Sequence, residues 1–217
     1  MQARGDGVEK VICIGTNPED SKNAYEFAAA HENVYWTYGI HPEFANDYLD
    51  EEGMFDGAPV AIGEIGLDYH YEGYDRSAQI RLFESMLQLA SDRNLPIALH
   101  LREAFADAWG VLDNFPKVKG VVHSFTGSKK DLKIALERGF YVGVNGLATY
   151  TTTPLPPLER MLLETDAPFL TPAPFRGTIN SPRYVKVIAA YLAQQLGVTE
   201  SIIQEQTTHN ARQIFSI

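Results

Sequence analysis

The sequence predicts an α/β fold: a TIM-like (β/α) barrel lacking its first β-strand, in one domain over residues 1–217. Three observations predict it. Seven apolar, strand-like runs alternate with helical patterns, and no tandem repeat interrupts them. Such alternation implies parallel pairing through right-handed crossovers. Polar residues close many of the runs, as expected where chemistry collects on the C-terminal face of a barrel. No Gly-rich phosphate loop follows the first run, which disfavours an open doubly wound sheet. A complete eight-stranded barrel takes roughly 250 residues, so 217 residues suit one that is a unit short.

Residues 8–14 read as strand, with Gly15 behind them. Asn17-Pro18-Glu19-Asp20 is a helix start, and 21–30 carries the helix. Residues 34–40 are strand-like and stop at His41-Pro42, before a polar stretch over 43–57. Val60, Ala61 and Ile62 open a buried strand that is expected to break at Gly63 and Gly66, leaving Glu64 and Asp68 around the break. Helical spacing of Ile80, Phe83, Met86, Leu87 and Ala90 places a helix over 77–93. Strands at 95–99 and 118–122 end at His100 and His123, each followed by a helix, at 103–114 and 129–138. Residues 140–144 form a strand, and 158–163 lead into Glu164-Thr165-Asp166. A Pro-rich loop to Pro182 precedes two closing helices, near 182–196 and 199–215.

Composition narrows the function. Apolar content of 45% and charged content of 21% are ordinary for a globular domain. No run is long enough to span a bilayer, and residues 1–7 lack a secretory core, so a cytoplasmic location is expected. The lone Cys13 is expected to be buried, in a reducing compartment. A net charge of −10 counts against a protein that coats nucleic acid, yet not against a nuclease, because bound divalent cations reverse the local field.

Glu64, His100, His123 and Asp166 each follow an apolar strand-like segment. A carboxylate in such surroundings demands a cation. Mixed imidazole and carboxylate suits Zn or Mn, and carboxylate with water suits Mg. Four separate hydrogen-bonded strand-end residues are the plainer alternative. Glu64 has two oxygens with which to bridge ions, and Asp166 is placed to ligate metal and orient or deprotonate water. Asp68 is a candidate to hold a ligand histidine or Tyr69 from behind, or a simple turn-former. Arg102, Arg176 and Asn180 are candidates for an anionic substrate, with salt bridging and loop structure as their plainer roles. His41 is either a substrate contact or a turn residue. Tyr69, Tyr71 and Tyr74 are candidates to stack on unpaired bases, or ordinary surface packing.

Taken together, the segments Gly39-Ile-His-Pro42, Gly63-Glu-Ile-Gly-Leu-Asp-Tyr69, Pro96-Ile-Ala-Leu-His-Leu-Arg102, His123-Ser-Phe-Thr-Gly127, Glu164-Thr-Asp-Ala-Pro168 and Pro174-Phe-Arg-Gly177 with Asn180 resemble the TatD-type metal-dependent deoxyribonucleases. The resemblance runs over nearly the whole chain. It implies a TIM-like barrel, two divalent ions and phosphodiester hydrolysis of DNA, often from 3′ ends. It further implies that Glu64 bridges the ions, that His100 and His123 bind one of them, and that Asp166 completes the other. The family opens with a strand bearing a His-x-His pair, and no such pair occurs in this sequence. One ion rather than two, weakened activity, and a homodimer through an open strand edge (or an edge filled by the chain's own N-terminal residues) are therefore expected. Two alternatives stay open: an amidohydrolase-type enzyme for a small ester or amide, and a non-catalytic protein that keeps the fold.

Overall fold

A computed structural model describes residues 2–48 and 57–217. Residues 49–56 of the polar stretch lie outside the described residues. The chain divides into two compact units, residues 10–122 and residues up to Glu9 together with 123–217.

The chain opens with one helical turn, α1 (Gln2–Gly5), which belongs to the second unit. In the first unit, β1 (Val11–Cys13), β2 (Val34–Tyr38), β3 (Ala61–Asp68) and β4 (Ile97–Arg102) pair in sequence order, all parallel. Helix α2 (Pro18–Ala29) links β1 to β2, and its first turn is capped by Asn17, whose side chain accepts from the Asp20 amide at 2.9 Å. Helix α3 (Arg76–Arg93) links β3 to β4. It starts at an Asp75 cap and stops at Asn94, whose φ of 51° is the left-handed conformation that ends helices. Its predicted apolar stripe is largely confirmed, with Phe83, Met86, Leu87 and Ala90 buried and Ile80 partly so. Those residues share the core with Ile62, Ile65 and Leu67 of β3 and Ile97 and Leu99 of β4. Helix α4 (Phe105–Leu112) follows β4 and leads to β5 (Gly120–His123), within which the division between the units falls.

Two expectations are corrected here. The third strand does not break at Gly63 and Gly66, because β3 continues to Asp68. One extra β3 residue between Ile62 and Ile65 is absorbed as a bulge against two steps of β4. Cys13 is half-buried rather than buried. Burial, with help from the Asp20 charge, still pushes its thiol above its ordinary range and keeps it protonated.

In the second unit, α5 (Lys129–Glu137) begins at a capping box between Ser128 and Asp131. The strands β6 (Tyr141–Val144) and β7 (Met161–Leu163) pair in parallel. The run expected as one strand over 158–163 is split, because Pro157 caps a 3-10 turn before β7 starts. Helices α6 (Val185–Leu196) and α7 (Glu200–Phe215) close the chain. Ile188 and Leu192 of α6 pack with Met161, Val144 and Ile203 into one apolar cluster. Buried Asn210 of α7 donates to the carbonyls of Leu158 and Met161 at 2.9 and 2.8 Å, fixing the helix beside β7. Asp6 pairs with Lys186 at 2.8 Å and Arg183 at 3.0 Å, which ties the start of the chain to this unit. Among the described residues, no helix is long and apolar enough to cross a membrane.

Candidate metal centre

Each unit carries a cluster in which an imidazole sits between two carboxylates. In the first unit the cluster grows out of the β3–β4 register. Gly66 lies opposite His100, and Asp68 opposite Arg102. Glu64, Gly66 and Asp68 share one face of the strand by its two-residue period. The His100 ring therefore meets a carboxylate on either side: Nδ1 lies 2.9 Å from Glu64 Oε1, and Nε2 lies 2.9 Å from Asp68 Oδ2. The side chains of His100, Glu64 and Asp68 are only 19%, 13% and 7% exposed.

His41 completes the group. Its ring centroid is 4.4 Å from that of His100, edge to face. One ligand atom from each of His41, Glu64 and His100 lies within 4.8 Å of the others. That spacing and the mix of nitrogen and oxygen donors suit a divalent ion such as Zn or Mn. Charge points the same way. Two carboxylates facing one ring leave a net negative, largely desolvated pocket even when that ring is protonated, and a cation relieves it. Burial alone would raise the Asp68 carboxyl. Hydrogen bonds from the His100 ring and the His70 amide, together with the Arg102 charge, outweigh burial and hold it below the ordinary range.

The second unit repeats the pattern. His123 Nδ1 lies 2.8 Å from Glu164 Oε2, and Nε2 lies 3.1 Å from Asp166 Oδ1. Glu164 also accepts from the Ser124 amide at 2.6 Å, and Asn145 donates to the Ser124 hydroxyl at 2.7 Å. Gly143 makes room for this acid, since a Cβ there would stand 2.4 Å from Glu164 Oε2. Glu164 went unnoticed as a site residue in the sequence, although it stands two positions before Asp166 and so follows the strand period. Asp166 itself has a φ of 58°, an uncommon conformation for a non-glycine residue.

The four expected ligands thus fall two to a cluster: Glu64 with His100, and His123 with Asp166. The remaining residues are placed as follows. Arg102 ends β4 and stands over the Tyr71 ring, with its carbon 5.3 Å from the centroid. Arg176 stands over Tyr150 at 4.0 Å. Asn180 is buried, and its amide donates to the carbonyls of Thr165 and Phe169, holding the loop that carries Asp166. The Tyr69 hydroxyl donates to Asp107 Oδ2 at 2.8 Å, and Arg76 Nε donates to the same oxygen at 2.6 Å. Burial and the Asp107 charge push the Tyr69 phenol well above its ordinary range, so it stays a neutral donor.

Comparison with known proteins fits this chemistry. The sequence matches the family described as TatD related DNase over residues 1–216. It is 34% identical to the uncharacterized metal-dependent hydrolase YabD of Bacillus subtilis, covering 100% of this chain and 91% of that protein. It is also 34% identical to a 3′-5′ ssDNA/RNA exonuclease TatD of Pantoea ananatis, again over 100% and 91%. Among solved structures, the TatD homologue YJJV of Escherichia coli superposes with a TM-score of 0.87 at 27% identity, over 100% of this chain and 90% of that one. This likeness establishes the expected α/β, TIM-like fold class. Matched from end to end in both sequence and fold, the chain belongs to the TatD family of metal-dependent hydrolases.

Proposed function

We propose that the chain hydrolyses phosphodiester bonds in single-stranded nucleic acid, DNA first, removing nucleotides from a 3′ end. The observation that carries this reading is the close group of His41, Glu64 and His100, a ready set of metal donors in a chain related to a named exonuclease. Glu64, His100, His123 and Asp166 are the proposed ligands, with His41 added to the first cluster. A divalent ion bound to either cluster would supply Lewis-acid polarisation of a phosphoryl group and lower the pKa of water.

The chain's own groups do the rest. Asp166 orients the attacking water and receives its proton, the part a carboxylate takes as general base. Asp68 fixes the orientation of the His100 ring through Nε2, which leaves Nδ1, on the side of Glu64 Oε1, as the nitrogen that would bind an ion. Glu164 plays the matching part for His123. Arg102 in the first unit and Arg176 in the second are each suited to receive a phosphate, for which a planar guanidinium gives two parallel donors. Asn180 keeps the Asp166 loop in shape. These cations also offset the acidic chain as a polyanion approaches.

The test is a single-stranded DNA oligonucleotide labelled at its 5′ end, offered to metal-stripped protein with Mg or Mn added back. A ladder of products shortened from the 3′ end, absent under chelator, is expected. Intact oligonucleotide in every metal, with a small ester or amide cleaved instead, would contradict the reading.

A further inference from the structure

The loop that leaves β3 carries an aromatic surface that the metal chemistry does not use. Its sequence is Tyr69-His70-Tyr71-Glu72-Gly73-Tyr74. Tyr71 is 66% exposed, and Tyr74 is 43% exposed. A single exposed tyrosine needs no explanation. Here, however, the loop under the exposed ring is pinned at successive residues. Tyr69 is held by Asp107 and stacks on Tyr74, with centroids 4.6 Å apart and planes 9° from parallel. The His70 amide donates to Asp68 at 2.9 Å, and its ring pairs with Glu103 at 2.6 Å. Arg102 stands over the Tyr71 ring and reaches its hydroxyl at 3.4 Å. His70 meets the same ring edge-on, with centroids 5.1 Å apart.

The guanidinium stands over Tyr71 and His70 meets it in a T-shaped contact, yet 66% of the residue stays exposed. A ring fixed in this way can receive a flat partner with little ordering left to do. The same arginine lies opposite Asp68, which touches the His100 ring. Arg102 thus joins Tyr71 to the strand that carries His100 two residues earlier. We propose that Tyr71, backed by Arg102, stacks on an unpaired nucleobase of the substrate strand beside the bond that is cut. This rests on the nuclease reading above and names what that reading leaves open: how an acidic protein selects single strands. A paired base has both faces occupied in the duplex stack, whereas an unpaired one has a face to offer. Stacking is tolerant of base identity, so little sequence preference is expected.

The experiment measures binding as well as hydrolysis. Metal-loaded protein is titrated with a fluorescent phosphorothioate-linked single strand, and with a strand of equal charge whose 3′-terminal nucleotides are abasic. Wild type is expected to bind the base-bearing strand roughly 5- to 140-fold more tightly, the range one stacked base supplies. In Tyr71→Ala this ratio collapses toward one, while Tyr71→Phe and Tyr71→Trp retain it. Because the side chain is exposed, the fold tolerates all three changes. Equal ratios in wild type and Tyr71→Ala would overturn the proposal. If the same protein still degrades DNA in Mn, the stacking inference alone has failed. If it neither degrades nor binds either strand, both readings fall.

Discussion

Glu64→Gln is expected to leave the protein folded and to lower its metal-dependent hydrolysis on the order of 1000-fold, the loss of several kcal/mol of charge stabilisation by a metal ion. The substitution keeps the shape of the side chain and a hydrogen-bonding partner for His100 Nδ1, now 2.9 Å from Glu64 Oε1. It removes the negative charge, which is the part an ion needs. Stability should change little, because the amide keeps the volume and the hydrogen bond to the His100 ring while an acid only 13% exposed no longer has to be kept from water. Circular dichroism and a melting curve check the first half, and the rate on single-stranded DNA in Mn checks the second. A folded Glu64→Gln protein that cuts DNA at the wild-type rate would remove this residue from the mechanism.

Gly66→Ala is expected to have the largest effect on stability. This glycine has a φ of +146°, a region essentially reserved for glycine. A Cβ built there would stand 1.9 Å from the carbonyl oxygen of His100 and 2.9 Å from its carbonyl carbon. Both are backbone atoms of the neighbouring strand, so no side chain can swing aside. The strands must part where His100 is positioned between Glu64 and Asp68. A loss of roughly 3 kcal/mol or more follows from the overpacking and the strained backbone together. For a chain of this size that is a fall of about 10 °C in Tm. Metal affinity should drop as well, since His100 moves with its backbone. Gly110→Ala is the control. It lies in α4 with nothing within 4 Å of the added methyl, and helix propensity favours alanine there by up to about 1 kcal/mol. If Gly66→Ala melts with Gly110→Ala, the β3–β4 contact is looser than described.

Much of this was legible in the sequence, for local reasons. The α3 stripe, the helix start at Asn17 and the apolar runs before His100 and His123 are patterns within a few residues of one another. The pairing of acids with imidazoles was not legible. Glu64 and His100 are 36 positions apart, and His123 and Glu164 are 41 apart. Their meeting depends on strand register, and in β3 the register is offset by a bulge that the paired glycines suggested only as a break. For the same reason His41 reads as a substrate contact or a turn residue; it does cap the turn that starts at Pro42, and only the fold shows its ring against His100. Glu164 was hidden by Asp166, the more conspicuous acid two residues later. Asn180 reads equally well as a substrate contact, and only the folded loop reveals that its amide is occupied by two carbonyls.

The most direct test of the central claim is equilibrium dialysis of the stripped protein against Mn or Zn, with bound metal measured per chain. About one ion or more per wild-type chain is expected, falling sharply in His100→Ala and in His123→Ala while both variants stay folded. Wild-type protein that emerges free of metal, or variants that retain as much metal as wild type, would contradict the assignment of these acid and imidazole clusters.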